Sequence, residues 1–317
     1  MRVVITGVQG FIGSHLAAFS LERGHDVIGI ARSMSPAKQA RIERLNHNKS
    51  FHVSYADLAT EAFGVTEGAD IVFHLAASTS SGQSLLDPSP FLRNNYVASF
   101  NLYEDARRHG VTRFIHMSTD EVYGTINASS HDESSFLKPS NPYAATKAAC
   151  DLLLQAYHRA YAFPGIIARA SNVYGTWQNP QKMIPTFVRF ALSDAPLPIF
   201  GDGSHRRAWI AVEDVCSALW TIAEKGHLGD IYHIASSDEE TNLNIAQTVL
   251  QVLEKSTRPF NFTPSHKARR GHDSRYSLNN AKLLSLGWQP TLTLDANLSV
   301  VIKWFQDNPW WLATEAP

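Results

Sequence analysis

The chain has 317 residues, 44% of them hydrophobic and 18% charged, and sets Lys+Arg 28 against Asp+Glu 29 for a formal net charge of −1. That composition excludes a disordered chain and offers no global positive field for a phosphate backbone or an anionic membrane, so no nucleic-acid partner is expected. With Cys150 and Cys216 as the only cysteines and no His-Glu-x-x-His spacing, a disulfide framework and a Cys-based zinc site are excluded and no metal is expected.

The first strand is predicted at 2–6, with no signal-peptide pattern before it. No run of about 18 apolar residues occurs, so the expectation is a cytoplasmic protein without a membrane span. Thr6-Gly7-Val8-Gln9-Gly10-Phe11-Ile12-Gly13 leads from that strand into a helix at 12–23. Its glycines let the backbone turn sharply and approach a pyrophosphate at the helix N-terminus, which marks Gly7, Gly10, Phe11, Ile12 and Gly13 as cofactor-binding.

Strand two, 26–31, ends at Arg32-Ser33, and no acid stands between Val27 and Ile42 to bind a ribose 2′-hydroxyl. Arg32 can instead fork onto a 2′-phosphate and Ser33 can donate to it, so NADP is favoured over NAD. Strand three, 51–55, is followed by Asp57-Leu58, where a carboxylate can accept from an adenine amino group. Strand four, 71–74, runs into Leu75, Ala76 and Ala77 at the sheet edge where such a cofactor would lie.

A helix is predicted at 90–109, strand five at 113–117, a helix at 141–161 and strand six at 165–170. Strand five leads into Ser118-Thr119-Asp120-Glu121-Val122-Tyr123-Gly124, at the carboxyl edge where open α/β sheets place ligands. Tyr143 and Lys147 share a helical face at i and i+4, and an ammonium beside a phenol favours the phenolate, making Tyr143 a base. After about residue 175 the alternation breaks at prolines 180, 185, 196 and 198 and at Gly201-Asp202-Gly203. A helix at 212–224 and a strand at 231–234 then return. The expected fold is α/β, a Rossmann-type doubly wound parallel sheet in 1–174 with returning segments near 205–235, and a smaller C-terminal substrate-binding lobe in 175–317.

These motifs together resemble an extended short-chain dehydrogenase/reductase, and within that superfamily a nucleotide-sugar 4,6-dehydratase of the dTDP-glucose 4,6-dehydratase type. The resemblance runs from the glycine turn to Gly287-Trp288-Gln289-Pro290. It implies that Tyr143, with Thr119 and Lys147, takes the C4 hydroxyl proton of an NDP-hexose as hydride leaves for the nicotinamide. Glu121 then removes the C5 proton, protonated Asp120 donates to the departing C6 hydroxyl, and the product is a 4-keto-6-deoxy sugar. Related epimerases and decarboxylases share the glycines and Tyr-x-x-x-Lys but lack the Thr-Asp-Glu triplet, so Asp120 discriminates. On the substrate side the resemblance implies that Arg207 and Arg275 grip the diphosphate, Asn172 lies near diphosphate or sugar, and Lys182 helps frame the base.

Departures from the resembled pattern fall around the sugar and nucleotide. Ser78-Thr79-Ser80-Ser81-Gly82-Gln83-Ser84 stands where Glu-Ser-His-Val-Asp-Arg-Ser is usual, leaving Ser78 as the substrate-binding residue after the alanines. Ala208 replaces an acid, Val173 an asparagine, and Arg270 a proline. Which nucleotide and hexose bind stays open. The alternatives are a nucleotide-sugar 4-epimerase and a non-catalytic NADP-sensing protein. The helices at 90–109 and 141–161 carry apolar residues on more than one face, so a two-fold homodimer is expected, as the resemblance also implies, with Leu153 facing the partner.

Overall fold

In the computed structural model, which describes residues 1–32, 36–126, 129–263 and 273–313, the chain opens β1 (Arg2–Thr6), α1 (Phe11–Glu22), β2 (Asp26–Ala31), α2 (Pro36–Glu43), β3 (Phe51–Tyr55), β4 (Ile71–His74) and α3 (Ser81–Leu86). Then come α4 (Ser89–Phe91), a π-helical stretch Leu92–Val97, α5 (Ala98–Arg108), β5 (Arg113–Thr119), a 3-10 turn Asp120–Tyr123, α6 (Pro142–Tyr161) and β6 (Gly165–Ala170). The second half adds β7 (Asn172–Tyr174), α7 (Met183–Leu192), β8 (Leu197–Phe200), β9 (Arg206–Ala211), α8 (Val212–Lys225), β10 (Ile231–Ile234), β11 (Glu239–Thr241) and α9 (Asn242–Val252). It closes with β12 (Phe260–Thr263), α10 (Ala281–Leu284), α11 (Leu294–Asp307) and α12 (Pro309–Ala313).

Among the described residues the main sheet has seven strands in the order β10-β6-β5-β4-β1-β2-β3, all neighbours parallel. Successive side chains of a strand point to opposite faces, so Val3, Ile5 and Phe73 pack with Leu16, Leu219 and Trp220 of α1 and α8. Val4, Val72 and Phe114 pack on the other face with Leu102 and Tyr103 of α5 and Leu154 and Tyr157 of α6. Burial on both faces explains why these strands read as unbroken apolar runs, each such side chain contributing about 1.5–3 kcal/mol. Strand order reverses at β1, with β2 and β3 on one side and β4 on the other, and the crevice beyond their carboxyl ends holds the site.

Two predicted elements differ from the sequence reading. β5 runs on to Thr119, two residues past the expected end at 117. The helix expected at 90–109 is three pieces, because a π-helical turn carries one extra residue and swings Asn95 inward, where it binds the Ser78 N–H (2.7 Å), the Ser78 carbonyl (3.1 Å) and the Thr146 hydroxyl (3.0 Å). Strand six ends at Ala170 as expected, and β7 after it joins a separate sheet of order β11-β9-β7.

A second apolar cluster gathers Phe187, Leu197, Trp209, Ile245, Leu298 and Phe305 from α7, β8, β9, α9 and α11. Leu153, expected to face a partner subunit, is partly buried against the cluster beneath the sheet, while its neighbour Leu152 is 56% exposed. Ser33 and Arg270, both singled out in the sequence, lie outside the described residues. Among the described residues no helix is long and apolar enough to cross a membrane, and no three His, Cys, Asp or Glu side chains gather as metal ligands.

Candidate active site

A cavity of about 1020 Å³ opens at the switch point and is walled on one side by the glycine turn and on the other by α7, β8 and β9. Gly7 sits at φ +70°, and a Cβ on it would lie 2.9 Å from the Ala76 backbone; a Cβ on Gly13 would lie 2.3 Å from the Gly7 carbonyl oxygen. Only glycine permits β1 to turn into α1 this close to the end of β4. The Thr6 hydroxyl accepts from the Leu75 and Ala76 N–H groups, both at 3.2 Å, which pins the two strand ends together. Gly10 caps α1 without a side-chain hydrogen bond among the described residues, so the first-turn N–H groups face the cavity lined by Gly10, Phe11, Ile12 and Gly13. Those features fit a dinucleotide pyrophosphate.

Arg32, Asp57, Leu58, Leu75, Ala76 and Ala77 line the same wall. Arg32 donates to Asn94 Oδ1 at 2.8 Å. The Asp57 carboxylate takes Arg93 at 2.8 Å and the Ala59 N–H at 3.1 Å, and against the opposing cost of burial these contacts hold it below the usual carboxylate range.

Thr119, Asp120, Glu121, Tyr143 and Lys147 all reach the cavity. Thr119 ends β5 and caps the following turn by accepting from the Glu121 N–H at 3.3 Å. Asp120 is 3% exposed; Oδ1 accepts from Thr119 at 3.2 Å, while Oδ2 is buried without a partner among the described residues. Burial, then the neighbouring Glu121 charge, push its carboxyl up to about 7, with Arg207 opposing. Asp120 therefore gains and loses its proton near neutrality.

The tyrosine differs from its expectation. Burial and then the Glu121 charge push the Tyr143 phenol well above its ordinary value, and the expected relief from Lys147 does not appear. Lys147 lines the cavity, and its Nζ is hydrogen-bonded to His116 Nε2 at 2.9 Å. His116 Nδ1 faces Tyr103 Oη at 2.9 Å; with Lys147 charged, an ammonium offers no acceptor, and the His116 proton then sits on Nδ1. Burial, then Lys147 and His74, hold His116 far below the usual imidazole range, and burial lowers Lys147 as well. Sequence reasoning missed His116, because an interior strand position gives no sign of what crosses over it.

Ser78, Asn172, Lys182 and Arg207 line the far wall with His205, Trp209 and Tyr276. The Arg207 guanidinium lies 4.6 Å from the Tyr276 ring centroid and donates to the Asp273 carbonyl at 2.8 Å. Arg275, expected to grip a diphosphate, is not among the described lining residues; it forks onto Glu239 at 2.7 and 2.9 Å. The pairing of β11 with β9, together with a backbone bridge from Arg206 of β9 to Arg275, puts that carboxylate within its reach, which no local sequence signal announces. Ser81 and Asn141, which both bind Glu121, were likewise missed. Asn141 carried a partial signal as a helix-capping residue before Pro142.

Residues 3–235 match the model of the NAD dependent epimerase/dehydratase family. The chain is 35% identical to a dTDP-glucose 4,6-dehydratase of Haemophilus influenzae across 97% of this chain and 98% of that one. A dTDP-glucose 4,6-dehydratase of Streptomyces venezuelae, solved with NAD and TYD bound, superposes with a TM-score of 0.94 at 33% identity, covering 99% of this chain and 100% of that one. A Bacillus cereus UDP-glucuronic acid 4-epimerase solved with UDP-glucuronic acid and NAD gives a TM-score of 0.90 at 27% identity, covering 97% of this chain and 100% of that one.

Proposed function

Starting from a chain that belongs to the NAD dependent epimerase/dehydratase family, we propose that it is a nucleotide-sugar 4,6-dehydratase, converting an NDP-hexose such as dTDP-glucose or a related sugar nucleotide into the NDP-4-keto-6-deoxy sugar. The observation that carries this reading is the acid pair: Asp120, buried with its carboxyl pushed up to about 7, beside Glu121, which takes hydrogen bonds from Ser81 and Asn141. A C4 epimerase has no use for a proton donor next to a carboxylate acceptor, whereas loss of water across C5 and C6 requires both.

Gly7, Gly10, Gly13, Asp57, Leu75 and Ala76 would hold the nicotinamide cofactor, which when bound accepts hydride from C4 and returns it to C6. Tyr143, hydrogen-bonded to Thr119, takes the C4 hydroxyl proton only as the phenolate, a form that Lys147 and the positive charge of the oxidised cofactor would have to favour against burial. The resulting ketone acidifies C5–H. Glu121 takes that proton, Asp120 gives its own to the departing C6 hydroxyl, and water leaves. Arg207, Lys182 and Asn172 meet the diphosphate and nucleotide.

The relatives solved with a cofactor carry NAD. For this chain Arg32, at the cavity wall after β2 in a stretch with no acid between Val27 and Ile42, supports NADP. Residues 1–174 with the returning strand β10 serve as the cofactor unit and 175–317 chiefly as the substrate unit. A cytoplasmic homodimer paired through α5 and α6 completes the reading, supported by exposed Phe100 and Leu152 on those helices. Turnover assays against dTDP-glucose, UDP-glucose, UDP-N-acetylglucosamine, GDP-mannose and CDP-glucose test it: a 4-keto-6-deoxy product from one of them is expected, and a C4 epimer as the sole product would overturn it.

A further inference from the structure

The Glu121 carboxylate is held from two directions by groups that can only donate to it. Ser81 Oγ lies 2.9 Å from Oε2 and 3.1 Å from Oε1, so its single proton bridges the two oxygens. Asn141 Nδ2 reaches Oε2 at 3.0 Å, and its Oδ1 is committed to the Ala144 N–H at 2.9 Å, which leaves the amide one orientation. Asp120, one residue earlier, has Thr119 alone and an unpartnered Oδ2 among the described residues. One carboxyl is thus clamped and the other left loose.

Ser81 is itself fixed. It is the first residue of α3, whose cap Ser80 accepts from the Gln83 N–H at 3.2 Å, and its own carbonyl accepts from the Ser84 hydroxyl at 2.7 Å. The segment leading to it is tied by Asn95 to the Ser78 backbone and by Lys182, which donates to the Thr79 carbonyl at 3.3 Å. A serine hydroxyl placed by backbone anchors on both sides makes a rigid reference point for a glutamate with three rotatable bonds. Without it, Glu121 keeps a single donor on a single oxygen and can rotate about its terminal torsion, which has only broad, two-fold preferences of its own.

We propose that Ser81 is a positioning residue for the C5 proton transfer: its hydroxyl locks the Glu121 carboxylate in the rotamer that accepts the proton, and so the segment 78–84 sets the elimination step as well as the sugar pocket. The proposal rests on the dehydratase reading. Ser81 meets only Glu121 in this role, so its removal weakens one step and leaves the others intact, whereas Asn141 also caps α6 and would confound the same test.

The experiment compares the intact wild-type enzyme with Ser81→Ala and Ser81→Thr, using the sugar nucleotide that the wild type turns over. Three quantities are read: kcat and KM, the rate at which reduced-nicotinamide absorbance forms, and solvent deuterium incorporation at C5. For Ser81→Ala we expect kcat to fall roughly 10-fold, the loss of one hydrogen bond to a charged group, with KM within about two-fold of wild type. Nicotinamide reduction keeps its rate and the reduced form accumulates, while C5 exchange slows with kcat. Ser81→Thr, which keeps the hydroxyl, restores exchange. An alanine variant with wild-type exchange, equal slowing of C4 oxidation and exchange, or a threonine variant as slow as alanine each overturns the proposal. Failure of the dehydratase reading is recognised separately, since the wild type itself would then form no 4-keto-6-deoxy product, and Ser81 would have no such step to position.

Discussion

The two walls of the cavity are built by different means. On the cofactor wall the backbone does the shaping: Gly7 and Gly13 bring β1, α1 and the end of β4 so close that a single added carbon would strike main-chain atoms at 2.9 and 2.3 Å. On the reaction wall, side chains from distant elements converge: Ser81 of α3, Glu121 after β5 and Asn141 before α6 meet through hydrogen bonds of 2.9–3.1 Å. A wall of main chain tolerates no added atom, while a wall of side chains can lose one contact and stay folded. Substitutions on the first should therefore cost binding and stability together, and those on the second should cost individual chemical steps.

The largest expected effect lies on the reaction wall. Glu121→Gln should lower turnover by about 10²–10⁴, the usual worth of a positioned general base, while cofactor and substrate still bind. Reduced-nicotinamide absorbance without C5 deuterium exchange is the signature to look for; dehydration at the wild-type rate would remove Glu121 from the mechanism.

Gly13→Ala probes the other wall. Its Cβ would meet a backbone oxygen, so the helix has to shift, and overpacking of this kind costs about 1–3 kcal/mol. A lower thermal midpoint and cofactor affinity weakened together, measured by calorimetry and fluorescence titration, would sharpen the contrast; a loss of turnover with unchanged cofactor binding would break it.

Asp120 gives a pH-dependent test. Its carboxyl, pushed up to about 7 by burial and by Glu121, must be protonated to release the C6 hydroxyl, so the proton is present below that value and lost as pH rises through it. Water loss should slow by up to about tenfold per unit above pH 7, and single-turnover rates across pH 6–9 would show it. In Asp120→Asn that dependence should vanish along with most of the elimination.

The smallest effect concerns Arg32, which is exposed and already bonded to Asn94. Arg32→Ala should weaken NADP by about 10-fold, the worth of a charge-assisted contact at the surface, and NAD hardly at all. Equal loss of both cofactors, or a wild-type protein that carries only NAD, would assign the wall after β2 to the unphosphorylated cofactor.

Legibility divides along the same line. The strands at 2–6, 26–31 and 71–74 were readable because both faces of a parallel sheet are buried and each such strand is a short apolar run between turns. The glycine turn was readable because its backbone requirement falls on three nearby positions. Tyr143, Lys147 and the Thr119-Asp120-Glu121 triplet were readable as residue types at a spacing, and the structure brings all five to one cavity. Their electrostatics were not: the spacing of Tyr143 and Lys147 suggested a relieved phenol, but burial and Glu121 raise it, and Lys147 is hydrogen-bonded to His116, 31 residues before it.

The sequence by itself determined the fold class, the position of the glycine turn and the candidate side chains that line the cavity, because periodicity and local backbone geometry act over a few residues. Tertiary structure alone decided which partner each charge takes. Arg275 goes to Glu239 through the β11–β9 pairing, Leu153 goes inward while Leu152 faces out, and Ser81 meets Glu121 across 40 residues of chain. Hydrogen bonds and burial reward proximity in space, and proximity between distant segments is set only when the sheet and its helices have packed.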